Sequence, residues 1–91
     1  DQSVTIRLDQ TRIEVDPDVR YVLSAISTDP GRVTTAGTLD GHPFGMRGEE
    51  FFIGPESYGR PPAGATVHVR RAGVFFDLER RGDLPPALAA E

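Results

Sequence analysis

Residues 17–28, PDVRYVLSAIST, decide between two fold classes for this chain. A helix is consistent with Pro17, which suits the first helical position, and with four apolar residues at helical spacing: Val19, Val22, Leu23 and Ile26. The residue types favour a strand, because valine, isoleucine, threonine and tyrosine fit a pleated, half-buried surface. The sequence therefore favours a strand here and leaves a helix at about 17–27 as the alternative.

The stretch before this segment has the alternation of a β-hairpin. Polar and apolar residues alternate on both sides of a short polar turn, DQT at 9–11. A period of two is typical of strands with one buried face. The apolar positions on that face are Val4, Ile6, Leu8, Ile13 and Val15.

The stretch after it also has the pattern of strands and turns. RVTTAGTL at 32–39 predicts a strand, and Asp40-Gly41 predicts a tight hairpin turn. ATVHVRRAGVFFDLER at 65–80 predicts a second hairpin. Residues 54–64 predict a loop, because three prolines and three glycines fall within eleven positions.

The regular spacing of turns predicts an all-β fold, a small antiparallel barrel or sandwich of about seven or eight short strands. We expect a single domain over residues 1–83 and a loosely ordered C-terminal tail over 84–91, from which Leu84 and Leu88 can dock onto the body. The predicted core comprises Val4, Ile6, Leu8, Ile13, Val15, Phe51, Ile53, Val67, Val69, Val74, Phe76 and Leu78.

The helical alternative leads to a different fold class. With a helix at about 17–27, the first 28 residues resemble the strand-turn-strand-helix opening of a β-grasp, or ubiquitin-like, domain. That resemblance implies an α+β fold. The chain has no C-terminal di-glycine, and the resemblance supplies no functional residues.

Composition restricts the classes of function. The chain has 91 residues, a net charge of −4 and no cysteine, which excludes disulfides and cysteine nucleophiles and disfavours a polyanion-binding surface. No apolar run approaches the ~20 residues of a membrane span, so we expect no membrane partner. The basic residues are all arginine, which is typical of GC-rich bacterial genomes. We favour a cytoplasmic location, with a processed secreted form, suggested by Asp1, as the alternative.

Catalytic and metal-binding patterns are weak. The candidate metal ligands are His42, Glu49, Glu50 and His68. Their spacing matches no ligand motif, and neighbouring residues such as Glu49 and Glu50 point to opposite faces of a strand. No nucleophile-elbow or nucleotide-binding glycine motif occurs. We therefore predict no metal, no cofactor and no catalytic residue, which favours a non-catalytic role over an enzymatic one.

These exclusions favour a non-catalytic protein-interaction or accessory module of a bacterial protein. The expected partner is another protein or a second copy of the chain. Strands that bury only one face leave some large apolar residues exposed on the other face, and exposed apolar residues are suited to an interface. The predicted contact residues are Phe44, Met46, Phe52, Tyr58 and Phe75.

Two other functions stay open. A closed barrel could bind or convert an apolar small molecule in its interior. Nucleic-acid binding is the second, because residues 32–84 resemble the small C-terminal β-barrel of integrase-type transposases through their glycine and valine pattern. That resemblance implies a hairpin that contacts DNA. Arginines also cluster near Tyr58 and Phe75, although the acidic residues between them favour a self-paired surface. These arginines are Arg60, Arg70, Arg71, Arg80 and Arg81.

Overall fold

The computed structural model describes residues 3–88, and this range contains ten β-strands and no helix. The strands are β1 (Val4–Leu8), β2 (Thr11–Val15), β3 (Tyr21–Thr28), β4 (Val33–Leu39), β5 (His42–Arg47), β6 (Glu50–Ile53), β7 (Glu56–Gly59), β8 (Thr66–Arg70), β9 (Gly73–Phe76) and β10 (Glu79–Gly82). The all-β prediction is confirmed. The helical alternative at 17–27 is wrong, and with it the β-grasp alternative, because β3 occupies most of that stretch.

The ten strands form two five-stranded sheets. The first sheet has the order β1-β2-β8-β9-β10 and the second the order β3-β4-β5-β6-β7. Neighbouring strands are antiparallel except for β2 and β8, which are parallel. Neither sheet closes on itself, so the domain is a sandwich rather than a barrel. The strand count exceeds seven or eight because β7 lies within the expected loop and because a turn at residues 77–78 divides the expected last strand into β9 and the start of β10.

The two sheets share one hydrophobic core, and each sheet contributes alternate residues to it. Val4 and Ile6 are half-buried at its margin, whereas Leu78 is 93% exposed, so its assignment to the core is wrong. Asp77 and Leu78 form the two-residue turn between β9 and β10, with Asp77 at φ 54°. Aspartate tolerates this left-handed conformation, and the turn directs Leu78 into solvent. The core residues are Leu8, Ile13, Val15, Val19, Ala36, Leu39, Phe44, Met46, Phe51, Ile53, Tyr58, Val67, Val69, Val74 and Phe76.

A crossing segment, residues 16–20, leads from β2 in the first sheet to β3 in the second. A bidentate ion pair fixes it at one end of the sandwich: the guanidinium of Arg71 donates to Asp40 Oδ2 (2.8 Å) and Oδ1 (3.2 Å) and to the Asp18 carbonyl (3.0 Å). Asp40 is buried, and the hydrogen bonds from Arg71 lower the pKa of its carboxyl group. The start of β3 is therefore held in place.

The described part of the C-terminal tail, residues 84–88, packs on the same end. Leu84 contacts the core, and the Leu88 amide donates to the Asp40 carbonyl at 2.9 Å. His42 Nε2 lies 2.7 Å from the Pro86 carbonyl oxygen. The remainder of the predicted tail, residues 89–91, lies outside the described residues.

Candidate functional site

One lateral side of the sandwich is closed by side chains that connect the two sheets. We define the closed side as the edge strands β7 and β10. Tyr58 Oη donates to the Asp83 carbonyl at 2.6 Å, and Arg81 Nε donates to the Tyr58 carbonyl at 3.2 Å. The Tyr58 ring is buried and lies 5.9 Å from the Phe51 ring, centroid to centroid. Burial, followed by the charges of Glu56 and Asp83, raises the pKa of Tyr58 to about 12.

The opposite lateral side, formed by the edge strands β1 and β3, is open. Two observations place these strands on the same side. The crossing segment leads from β2, the neighbour of β1, to the start of β3. Leu8 at the end of β1 and Thr28 at the end of β3 line one cavity. We call this pair of edges the open side. Val4 and Ile6 of β1 are only half-buried there, because nothing described covers the core margin along this side.

β3 is exposed over its whole length. All eight of its residues are exposed, and four of the six exposed large apolar side chains among residues 3–88 belong to it. These four are Tyr21, Val22, Leu23 and Ile26. Tyr21 pairs with Leu39, a core residue, so it has the inward orientation and yet finds no cover from the first sheet. The open side therefore presents residues of core type to solvent.

β3 lacks two of the features that protect edge strands from pairing, charges and prolines, although it carries a third, a β-bulge. Natural edge strands carry charges, prolines or a covering segment. Arg7 lies on β1, Glu56 on β7, and β10 carries a glutamate and two arginines. The sequence of β3, YVLSAIST, contains no charged residue and no proline. Of the four described edges, only this one is both long and uncharged.

A bulge shapes the middle of β3. Leu23 pairs with Gly37 and Ser27 with Thr35, so three residues of β3 oppose Ala36 alone. At Gly37, which has φ 147°, a Cβ atom would lie 2.0 Å from the Val22 carbonyl oxygen, so this close approach requires glycine. The strand pairs with β4 at its two ends, and residues 24–26 fall outside the regular pairing.

The five predicted contact residues lie elsewhere. Four of them, Phe44, Met46, Phe52 and Tyr58, are at most 8% exposed. Phe44, Met46 and Tyr58 are buried because both sheets contribute their inner faces to one core. Phe52 is buried on the outer face of the second sheet, where Arg47 lies 4.6 Å above its ring and Gly45 lies opposite. The fifth, Phe75, is half-buried beneath Arg70 on the first sheet.

The candidate metal ligands are dispersed. His42 contacts the tail, as described above, while Glu49 pairs with Arg60 at 2.8 Å and Glu50 accepts a hydrogen bond from Ser57 at 2.9 Å. His68 Nδ1 lies 2.8 Å from Oε1 of Glu14, an ion-pair distance without hydrogen-bond geometry. Within residues 3–88, no three histidine, aspartate or glutamate side chains converge as metal ligands would.

The predicted arginine cluster is also dispersed. Arg71 binds Asp40, Arg60 binds Glu49, Arg80 binds Asp83 and Arg81 contacts Glu79. Arg70, a member of that cluster, lies instead on the outer face of the first sheet, where it stacks on Phe75 at 5.3 Å. Arg7 of β1 and Arg12 of β2 lie opposite each other on the same face. The parallel pairing of β2 with β8 places Arg12 opposite Thr66, on the same face as Arg70 but four positions from it along β8, and no local sequence pattern indicates such a pairing.

Core side chains fill the space between the sheets, and the cavity that Leu8 and Thr28 line is at an open end. Its volume is about 380 Å³. Met46 and Leu8 lie among threonines, prolines and the Arg60–Glu49 pair in its wall. An apolar ligand would therefore occupy this partly polar end rather than a closed interior.

Comparison of the chain with protein-family models, with curated proteins and with solved structures gives no match. The part of the chain that is described contains no helix suited by length and hydropathy to cross a membrane. The fold and the open side thus define the molecule by architecture, as a small β-sandwich with one long, exposed and uncharged edge strand.

Proposed function

We propose that this chain is a non-catalytic protein-interaction module that binds an extended segment of a partner along β3. The observation that carries the proposal is the full exposure of an eight-residue, uncharged edge strand. An edge strand offers a row of backbone donors and acceptors to an added strand, and its side chains give specificity. The partner segment suited to β3 is extended, apolar at alternate positions and uncharged at its centre.

The apolar side chains of β3 supply the affinity in this proposal. Burying an aliphatic side chain contributes about 1.5–3 kcal/mol. Val22 is 61% and Ile26 is 55% exposed, so each has most of its surface available for a contact. The closed side offers no comparable surface, because Tyr58 is buried and its backbone carbonyl is bonded by Arg81.

The test uses short extended peptides selected against the chain from a random-sequence display library. We expect selected peptides to shift the NMR signals of β3 and to lose affinity about tenfold or more in Val22→Arg and Ile26→Arg chains. Leu78→Arg is the matched control, because Leu78 is exposed and apolar but lies in a turn of the first sheet. Peptides that bind elsewhere, or a library that yields no binder, would contradict the proposal.

Binding of a polyanion is a second candidate function, favoured by the outer face of the first sheet. In the described part of the chain, Arg7 and Arg12 face each other and neither forms an ion pair. Like charges in opposite positions destabilise a strand pair, and a bound anion would relieve that repulsion. Arg70 over Phe75 adds a base-stacking position of the kind used for single strands.

A single-stranded oligonucleotide tests the second function. We expect its affinity to fall as salt rises, and the slope to decrease by about one unit for each of Arg7→Gln and Arg12→Gln. Arg47→Gln is the control, because Arg47 also stacks on an aromatic ring but lies on the second sheet. Equal losses in all three variants, or undetectable binding at low salt, would rule out this site.

A further inference from the structure

The cavity at one end of the sandwich has walls from both sheets. The β1–β2 turn of the first sheet contributes Asp9, and the β3–β4 turn of the second sheet contributes Arg32. We infer that this cavity binds a small zwitterion, a free amino acid or dipeptide with apolar side chains, whose ammonium group pairs with Asp9 and whose carboxylate pairs with Arg32. The inference is independent of the binding of a partner segment along β3 and adds a separate small-molecule site.

The charges in the cavity are suited to a ligand that carries both signs. Four charged side chains line the cavity, and two of them, Glu49 and Arg60, pair with each other at 2.8 Å. Within residues 3–88, Asp9 and Arg32 pair neither with each other nor with any other charged side chain. A ligand with a single charge would be repelled by one of these two residues, whereas a zwitterion complements both.

The backbone of Arg32 is held in a conformation that arginine rarely adopts. Its φ is 68°, in the left-handed region that favours glycine, and its amide donates to the Asp29 carbonyl at 3.0 Å. No ion pair of the side chain among the described residues offsets the cost of this conformation. Residues held in sparsely populated backbone conformations cluster at functional sites. An arginine at a glycine-type position therefore indicates that its guanidinium group has a role at the cavity.

The walls of the cavity are held in place by the chain itself. The Gly48 amide donates to the Arg32 carbonyl at 2.9 Å, which connects the β5–β6 turn to the β3–β4 turn. In the loop before β8, the Ala65 amide donates to the Pro62 carbonyl at 3.0 Å, and the rings of Pro61 and Pro62 restrict the backbone. Because a site that is formed in advance loses little conformational entropy on binding, a few contacts are sufficient for a measurable affinity.

The size and the apolar lining of the cavity specify a small ligand with an apolar side chain. Leu8 and Met46 are core residues that also line the cavity, and Pro62 and Ala63 contribute exposed apolar surface from the loop. The volume of about 380 Å³ is at the lower end of the range for small-molecule sites. This volume suits a single amino acid or a dipeptide.

An NMR titration with the dipeptide leucyl-leucine tests the site. We expect saturable shifts at residues 9–11 and 32–34, and an affinity about fivefold lower in Asp9→Asn and in Arg32→Asn, the upper range for exposed ion pairs. Asparagine tolerates the left-handed conformation of both positions, so both variants should fold. Asp77→Asn is the matched control and should bind normally, because Asp77 also has a left-handed φ, 54°, in a turn of the first sheet but does not line the cavity.

Blocked forms of the dipeptide assign each charge to its partner. The N-acetylated form has no ammonium group, so its affinity should fall in Arg32→Asn but not in Asp9→Asn, and the C-terminal amide should show the reverse. That pattern, with unchanged affinity in Asp77→Asn, supports the inference. Equal losses in all three variants, equal binding of the blocked and free dipeptides, or no saturable shift at the cavity at tens of millimolar overturns it. Shifts confined to residues 21–27 would also overturn it and would leave the proposed function of β3 standing.

Discussion

The open and closed sides of the sandwich are built from the same kind of element and differ in what covers it. Each side consists of one edge strand from each sheet. On the closed side, the buried ring of Tyr58 and the side chain of Arg81 connect the sheets. On the open side, Tyr21 and Leu23 have the inward orientation but remain 36% and 44% exposed. The closed side buries its apolar side chains within the chain, whereas those of the open side stay exposed and are available for contact with a partner.

The comparison predicts that equivalent substitutions have unequal effects on stability. Tyr58→Ala removes a buried ring and should lower the free energy of unfolding by about 3–5 kcal/mol. Tyr21→Ala, the matched substitution on the open side, should change it by less than about 0.5 kcal/mol in dilute solution. Urea unfolding of both variants measures this difference. Similar losses for the two tyrosines would show that the open side is covered within a single chain.

The ion pair that holds the entry to β3 should have the next largest effect. Arg71→Leu leaves the buried carboxylate of Asp40 unpaired and should cost about 2–3 kcal/mol, less than a fully buried pair because Arg71 is half exposed. Arg70→Leu, at the neighbouring position, removes only a stacking contact with Phe75 and should cost about 0.5–1 kcal/mol.

The same ion pair gives a stability dependence on acid. The pKa of Asp40 is lowered in the folded chain, so its contribution is present above the ordinary value of 3.8 and is lost as the pH falls below it. The difference between the unsubstituted chain and Arg71→Leu should therefore shrink in urea titrations at low pH. A difference that stays constant from neutral to acidic pH would contradict this assignment.

The smallest expected effect separates the hydroxyl of Tyr58 from its ring. Tyr58→Phe keeps the ring and should cost about 1 kcal/mol at neutral pH, the typical worth of one hydrogen bond. In the unsubstituted chain, the pKa raised to about 12 means that the unfolded chain ionises first, so stability falls between the ordinary value of 10.0 and 12. Tyr58→Phe should lack that alkaline loss in urea titrations. An equal loss in both chains would show that another group titrates.

Local patterns were sufficient to predict most of the strands. Alternation indicated β1 and β2, and the Asp40-Gly41 turn lies where the hairpin chemistry placed it. The β-branched residues of 21–28 correctly favoured a strand over a helix. Sequence reasoning missed β7, because prolines and glycines flank it so closely that the stretch has the composition of a loop. It also extended one strand through Asp77 and so placed the exposed Leu78 in the core.

The candidate site depended on long-range pairing that no local pattern shows. Alternation indicates which residues share a face, but it does not show whether another sheet covers that face. Phe44 and Met46 were assigned to a contact surface, although the first sheet covers them. The residues of β3 gave a detectable signal, eight positions without a charge or a proline. Only the sheet order shows that this strand is an edge.

Hydrogen exchange with and without a selected extended peptide tests the central claim, that β3 is the surface through which this chain binds a partner segment. In the free chain, we expect the β3 amides that do not bond to β4 to exchange quickly. In the peptide complex, the exchange of those β3 amides should slow markedly and that of the β7 amides should not change. Peptide binding that leaves exchange from β3 unchanged, or that slows exchange from β7 equally, would contradict the account.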